Sequence, residues 1–225
     1  SCEEFRIGII SCQSARNVPR KKLKRPDQIK TAPETPSGSR VPPGQFLTGK
    51  FPVLTYGSEP KIDIESWKLR IFGLVDEDKE LDWAQFSDLK WETVGADFHC
   101  VTQWSALDQT WEGVSFAQIL SLVQPGASAR FMMVHCYGGY TTNLPLDLAL
   151  EEGLFAHKHM GEPLGMSHGW PLRFVVPSRF GWKSAKWVNG IELIADDAPG
   201  FWELRGYHND GDPWKEERFW PELMK

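Results

Sequence analysis

No stretch of this chain keeps one hydrophobic period for long. Short apolar or alternating runs, "WKLRIFGLV" (67–75), "WETVGADFHCV" (91–101), "ARFMMVHCY" (129–137), "LRFVV" (172–176) and "WVNGIELI" (187–194), are each cut off by glycine, proline or charged residues. Such runs predict strands. Helical spacing is confined to short pieces. "LDWAQFSDL" predicts a short helix with Asp82 as N-cap, and "WEGVSFAQILSLVQPG" predicts one over 115–123, stopped by Pro125-Gly126. Strands and short helices follow one another without a βαβ rhythm, which predicts an α+β fold with mixed sheets. "GGYTTNLPLDLALEEGL" reads as a loop and then a short helix, and "LFAHKHMGEPL" as an exposed loop. "PGFWELRGYHNDGDPWKEERFWP" reads as an irregular wrap pinned by aromatics.

At 225 residues, with 41% hydrophobic and 24% charged residues, the chain can bury a sizeable core. Eleven Trp and thirteen Phe supply large rings for it. Residues 17–44 carry six prolines and seven Lys or Arg against two acids. They predict an extended arm over 1–44, ahead of one domain over 45–225. A net charge of −5 gives no global attraction for nucleic acid. No apolar run reaches the length of a membrane span, and the first residues do not read as a secretory signal, so a cytoplasmic monomer is the expectation. Four scattered cysteines without a CxxC pair do not read as a disulfide framework.

Three constellations could carry chemistry. His99-Cys100 and His135-Cys136 suggest a Cys2His2 zinc site, but neighbours along a strand point to opposite faces, which argues against four convergent ligands. Cys100 with His168 suggests a thiol nucleophile and base, but nothing local marks a nucleophile turn. The third is cationic: "HGWPLRFVVPSRFGWKSAKW" sets Arg173, Arg179, Lys183 and Lys186 among apolar residues and glycines, with Ser184 in a tight turn. Such a loop can cradle a phosphate through backbone N–H groups and charge-assisted bonds.

The segments "RVPPGQFLTGKFPVLTYG", "WKLRIFGLV", "DFHCVTQWS", "HCYGGYTTNLPL", "HGWPLRFVVPSRFGWKSAKWVNGIEL" and "PGFWELRGYHNDGDPWKEERF", in that order, resemble the molybdenum–pterin oxidoreductases of the sulfite oxidase superfamily. The resemblance is strongest to small bacterial sulfite-oxidase-like proteins. It is weaker to the catalytic subunit of the periplasmic methionine sulfoxide reductase system. It implies a sulfite oxidase-type fold and a molybdenum bound to molybdopterin without an attached nucleotide. Cys100 would be the only protein ligand to the metal, a soft donor suited to a sulfur-rich site. His168 would bind the pterin or its phosphate, Arg173 would clamp the phosphate, and Ser184, Ala185 and Lys186 would complete that clamp. Pro52 and Val53 would contribute backbone groups, and Cys136 would line the pterin pocket. Trp104, Tyr137 and Tyr140 are candidate pocket walls.

Two departures bear on the substrate. "VTQWS" after Cys100 and "LTGK" before "FPV" lack the arginines with which animal and plant sulfite oxidases surround the metal. The expectation is therefore oxygen-atom transfer, as reduction of an S- or N-oxide. Sulfite oxidation and a non-redox anion-binding module on the same fold are the alternatives. No "HPGG"-type haem segment occurs in the chain, so electrons are expected to pass through a separate partner protein.

Overall fold

A computed structural model describes residues 39–220, all within one of the chain's two units. The arm expected over 1–44 lies outside the described residues except for 39–44. There Arg40 reaches Asp97 (2.6 Å) and Asp108 (2.7 Å) at the surface.

The alternation seen in the sequence is used directly. Strand β2 (Lys68–Gly73) buries Leu69 and Ile71 and leaves Lys68 and Arg70 outside. Each such buried aliphatic side chain contributes ~1.5–3 kcal/mol. A five-stranded sheet runs in the order β3 (Lys79–Asp82), β2, β11 (Val188–Ile194), β6 (Phe131–Cys136), β7 (Thr141–Pro145). Only β2 and β11 are parallel in it. The second sheet has six strands. Its spine is β1 (Phe46–Leu47), β5 (Trp104–Ser115), β8 (Leu154–His159) and β10 (Arg173–Val175); β4 (Glu92–His99) pairs with β5, and β9 (Glu162–Pro163) with β8.

Three short helices fill the gaps: α1 (Trp83–Ser87), α2 (Phe116–Leu120) and α3 (Leu146–Glu152). Asp82 caps α1 as expected, in a reciprocal capping box with Gln85. Helix α2 ends three residues earlier than predicted, because its last turn relaxes into successive turns before Pro125.

Two expectations fail. "TTNLP" is strand β7 rather than loop, since its neighbour β6 supplies the pairing that its Asn and Pro disfavour locally. "LFAHKH" is strand β8 rather than an exposed loop, and β9 folds back on it. The tail after β11 contains only single-turn helical segments among its described residues, and Trp182, Trp202, Tyr207 and Phe219 pack it down as expected.

The main core lies under the five-stranded sheet, around Trp67, Phe86, Phe116, Met132 and Phe174. A second apolar cluster, inside the six-stranded sheet, gathers Phe98, Cys100, Trp104, Trp111 and Val175. That second cluster is where the candidate site forms.

Candidate functional site

Cys100 is the first residue past β4 and opens a tight turn into β5. Its N–H donates to Trp104 O (2.8 Å), its carbonyl accepts from Gln103 N–H (3.0 Å), and Gln103 takes φ +74° to close the turn. Distant segments hold the turn from outside. Gln45 Nε2 donates to Cys100 O (3.0 Å), and Arg218 Nη1 donates to Val101 O (2.7 Å). The Cys100 thiol is buried, with Thr102 Oγ1 3.1 Å from its Sγ. Burial pushes this thiol up from its ordinary range. The Thr102 hydroxyl and N–H and the charges of Arg173 and Arg218 pull it back toward the thiolate.

Arg173 opens β10 and is 5% exposed. Its guanidinium lies over the rings of Phe98 (5.2 Å), Trp111 (5.5 Å) and Phe51 (5.7 Å). One Nη1–H donates to His168 O (3.1 Å), while Nε is buried without a partner, as is the Nε1 of Trp111. Desolvation lowers Arg173 to about 10. No carboxylate pairs with it among the described residues.

Lys186 comes from the loop between β10 and β11. Its Nζ donates to Leu54 O (2.9 Å), Thr55 Oγ1 (2.6 Å) and Ser167 O (2.8 Å). Burial, and then the like charge of Arg173, lower it to about 8. His168 donates from Nε2 to Phe51 O (3.3 Å). Gly169, at φ +114°, lets this turn pass between the two cations. A Cβ there would stand 3.1 Å from the Lys186 stem and 3.2 Å from that of Arg173.

Phe51 is the hub of an aromatic cage. Its ring sits 4.7 Å from His159, 4.9 Å from Phe98, 5.5 Å from Trp104 and 5.7 Å from Trp111 and His168. His159 stacks on Trp111 at 4.2 Å, and burial lowers it to about 4, so it stays neutral beside Arg173.

The structure thus brings together Cys100, Arg173, His168 and Lys186, with the following Pro52 and Val53 exposed beside Phe51. Ser184 and Ala185 are buried. The Ser184 hydroxyl accepts from Val176 N–H (3.1 Å), and the Ser184 N–H donates to Gly181 O (3.2 Å). Cys136 lies in the main core, its thiol pushed up by burial and near Tyr140. Of the candidate walls, Trp104 joins the cage, Tyr137 packs against the main core, and Tyr140 is tied by its hydroxyl to Trp182 O.

Two cations of the sequence constellation go elsewhere. Lys183 is buried against Glu203 (2.6 Å) and Asn143, and Arg179 turns back onto Ser178. The sequence reading missed Arg218, Gln45, Phe51, Trp111 and His159. The first two act on the Cys100 turn from more than fifty residues away, and no local pattern announces that.

The residues present fit an anionic, sulfur-bearing group. They offer one soft thiol, two neighbouring cations in no ion pair with a carboxylate, two buried N–H donors lacking acceptors, and flat aromatic walls. No group of three or more His, Cys, Asp or Glu among the described residues could hold a metal unaided, so a metal here needs ligands from elsewhere.

Residues 56–202 match the family model described as "Oxidoreductase molybdopterin binding domain". The chain is 44% identical, over 84% of its length, to the uncharacterized oxidoreductase YuiH of Bacillus subtilis, covering 96% of that protein. It is 25% identical, over 74%, to a putative protein-methionine-sulfoxide reductase subunit YedZ1 of Azospira oryzae, and 28% identical, over 68%, to the sulfite oxidase of Arabidopsis thaliana. It spans only 64% and 48% of those two relatives. Among solved structures, the sulfane dehydrogenase SoxCD of Paracoccus pantotrophus has the same fold, with a TM-score of 0.60 over 72% of this chain and 46% of that one, at 18% identity. No helix among the described residues is long and apolar enough to cross a membrane. With the α+β, sulfite oxidase-type fold in place and the family model covering well over half its length, the chain belongs to the molybdopterin-binding oxidoreductases and is an enzyme of the molybdenum–molybdopterin cofactor.

Proposed function

We propose that the protein transfers an oxygen atom to or from a small substrate, as the reductase of an S- or N-oxide, with electrons from a separate partner protein. When bound, the molybdenum–pterin group supplies the two-electron exchange of that oxygen. Cys100 would be its one protein ligand, a thiolate donor. Arg173 and Lys186 would neutralise its phosphate, with His168 and the backbone of Ser184, Ala185, Pro52 and Val53 adding hydrogen bonds, and Cys136 would lie along the pterin. The rings of Phe51, Phe98, Trp104 and Trp111 would keep water from the thiolate.

The observation that carries this reading is the pairing of Arg173 with Lys186. Burial lowers both, and the charge of Arg173 lowers the half-buried Lys186 further, with neither in an ion pair with a carboxylate among the described residues, beside a buried thiol. An anion of two or more charges is the missing counterpart. A relative named as a reductase subunit supports a separate electron partner.

Sulfite oxidation is the second reading, and Arg218 favours it. Arg218, from the tail, brings a positive charge close enough to act on Cys100, although no arginine follows Cys100 in the "VTQWS" stretch. Protein made in a host that synthesises molybdopterin should contain stoichiometric molybdenum and a fluorescent pterin on oxidation. It should also oxidise a reduced dye when given S- or N-oxides. Turnover of sulfite alone moves the assignment to the second reading. Zinc, or no metal and no pterin, contradicts both.

A further inference from the structure

Thr102 stands two residues beyond Cys100, on the exposed side of the turn. Its Oγ1 lies 3.1 Å from Cys100 Sγ, and its hydroxyl has no other hydrogen-bond partner among the described residues. The Thr102 N–H also approaches the sulfur. In the free thiol either group can donate. Once the sulfur is deprotonated and holds a metal, the hydroxyl must be the donor of the Oγ1–Sγ pair.

The cations near the sulfur spend hydrogen bonds elsewhere, Arg173 on His168 O and Arg218 on Val101 O and Pro43 O. Thr102 is therefore the only side chain hydrogen-bonded to Sγ among the described residues. The turn is rigidly held, by Gln45, Arg218 and the left-handed Gln103, so the hydroxyl is kept in place. A hydrogen bond to a ligating sulfur draws electron density from it, which favours the more electron-rich, reduced metal.

We propose that Thr102 is a positioning residue that donates to Cys100 Sγ and thereby raises the reduction potential of the metal held by that sulfur. The proposal rests on Cys100 being the metal ligand. The test uses the cofactor-loaded protein and its Thr102→Val and Thr102→Ser variants. Reductive titration is followed by the paramagnetic resonance of the one-electron-reduced metal and by the sulfur-to-metal absorption band.

Thr102→Val should shift the reduced-to-oxidised ratio at a fixed potential about tenfold toward oxidised, ~59 mV for one electron. The absorption band should move to lower energy, and Thr102→Ser should restore both. An unchanged potential and band in Thr102→Val, with molybdenum and pterin at wild-type content, overturns the proposal while leaving Cys100 as ligand. Such a result would mean that solvent replaces the hydroxyl. A Cys100→Ser variant whose sulfur-to-metal absorption is unchanged in position and intensity from the wild type sinks the ligand reading itself and this proposal with it.

Discussion

Arg173 keeps its charge inside the protein with three aromatic faces and one carbonyl for company. Replacing it with methionine keeps the stem packed and removes the charge. If Arg173 clamps the phosphate, Arg173→Met should weaken cofactor retention by ~1.5–3 kcal/mol, about ten- to a hundredfold, read as molybdenum content after dialysis. Lys186 gives the same claim a pH signature. Its folded value is lowered to about 8 from 10.5. Between those values the unfolded chain holds more protons than the folded one, so stability of the cofactor-free protein should rise as pH goes from about 8 to about 10.5. Below 8 the penalty is fully present. Urea unfolding across that window should show the rise, and Lys186→Met should flatten it. With a phosphate bound the sign reverses, because the anion holds the proton on Lys186. Arg173 and Lys186 were legible in the sequence because basic residues beside glycines in an apolar segment are a local pattern. Arg218 was not, since its partner Val101 is a matter of tertiary packing.

The β4–β5 hairpin is the element that makes the site. It delivers Cys100 at its turn, Phe98 and Trp104 at its neck and Trp111 further along. β5 is twelve residues long and serves β1, β4 and β8 at once. That sharing needs Gly113, where the register shifts and where a Cβ would stand 2.1 Å from Phe155 O. Gly113→Ala must push β5 and β8 apart, at a cost of ~1–3 kcal/mol in denaturant unfolding. His159 and Trp111 would lose their stacking with the displaced strand. β4, β6 and β10 were readable from their apolar runs, and α1 from its cap. β7 and β8 were not, because "TTNLP" and "AHKH" are poor strand formers on their own and owe their state to β6 and β5.

Across the whole molecule, one buried ion pair joins parts that the two sheets alone would leave independent. Lys183 in the loop after β10 meets Glu203 in the tail, and both are within 1% of full burial. Asn143 of β7 accepts from Lys183 and reaches Asp197 and Asn209 in the tail. Lys183→Met leaves Glu203 charged and unpaired, which should cost ~3–5 kcal/mol. Adding Glu203→Gln, which keeps an acceptor for Trp182 Nε1, should recover part of that loss. This pair also explains why Lys183 was misplaced in the sequence reading. A lysine in a basic loop beside Arg173 and Lys186 reads as part of a phosphate cradle until the tail that covers it is known.

The fold supplies a thiol at a braced turn, two neighbouring cations outside any ion pair and an aromatic wall, and the central claim is that Cys100 bonds to molybdenum there. X-ray absorption at the molybdenum edge tests this most directly, comparing cofactor-loaded wild-type protein with Cys100→Ser. The number of sulfur neighbours around the metal should fall by one in the variant. An unchanged sulfur count, with molybdenum still bound, would contradict the account.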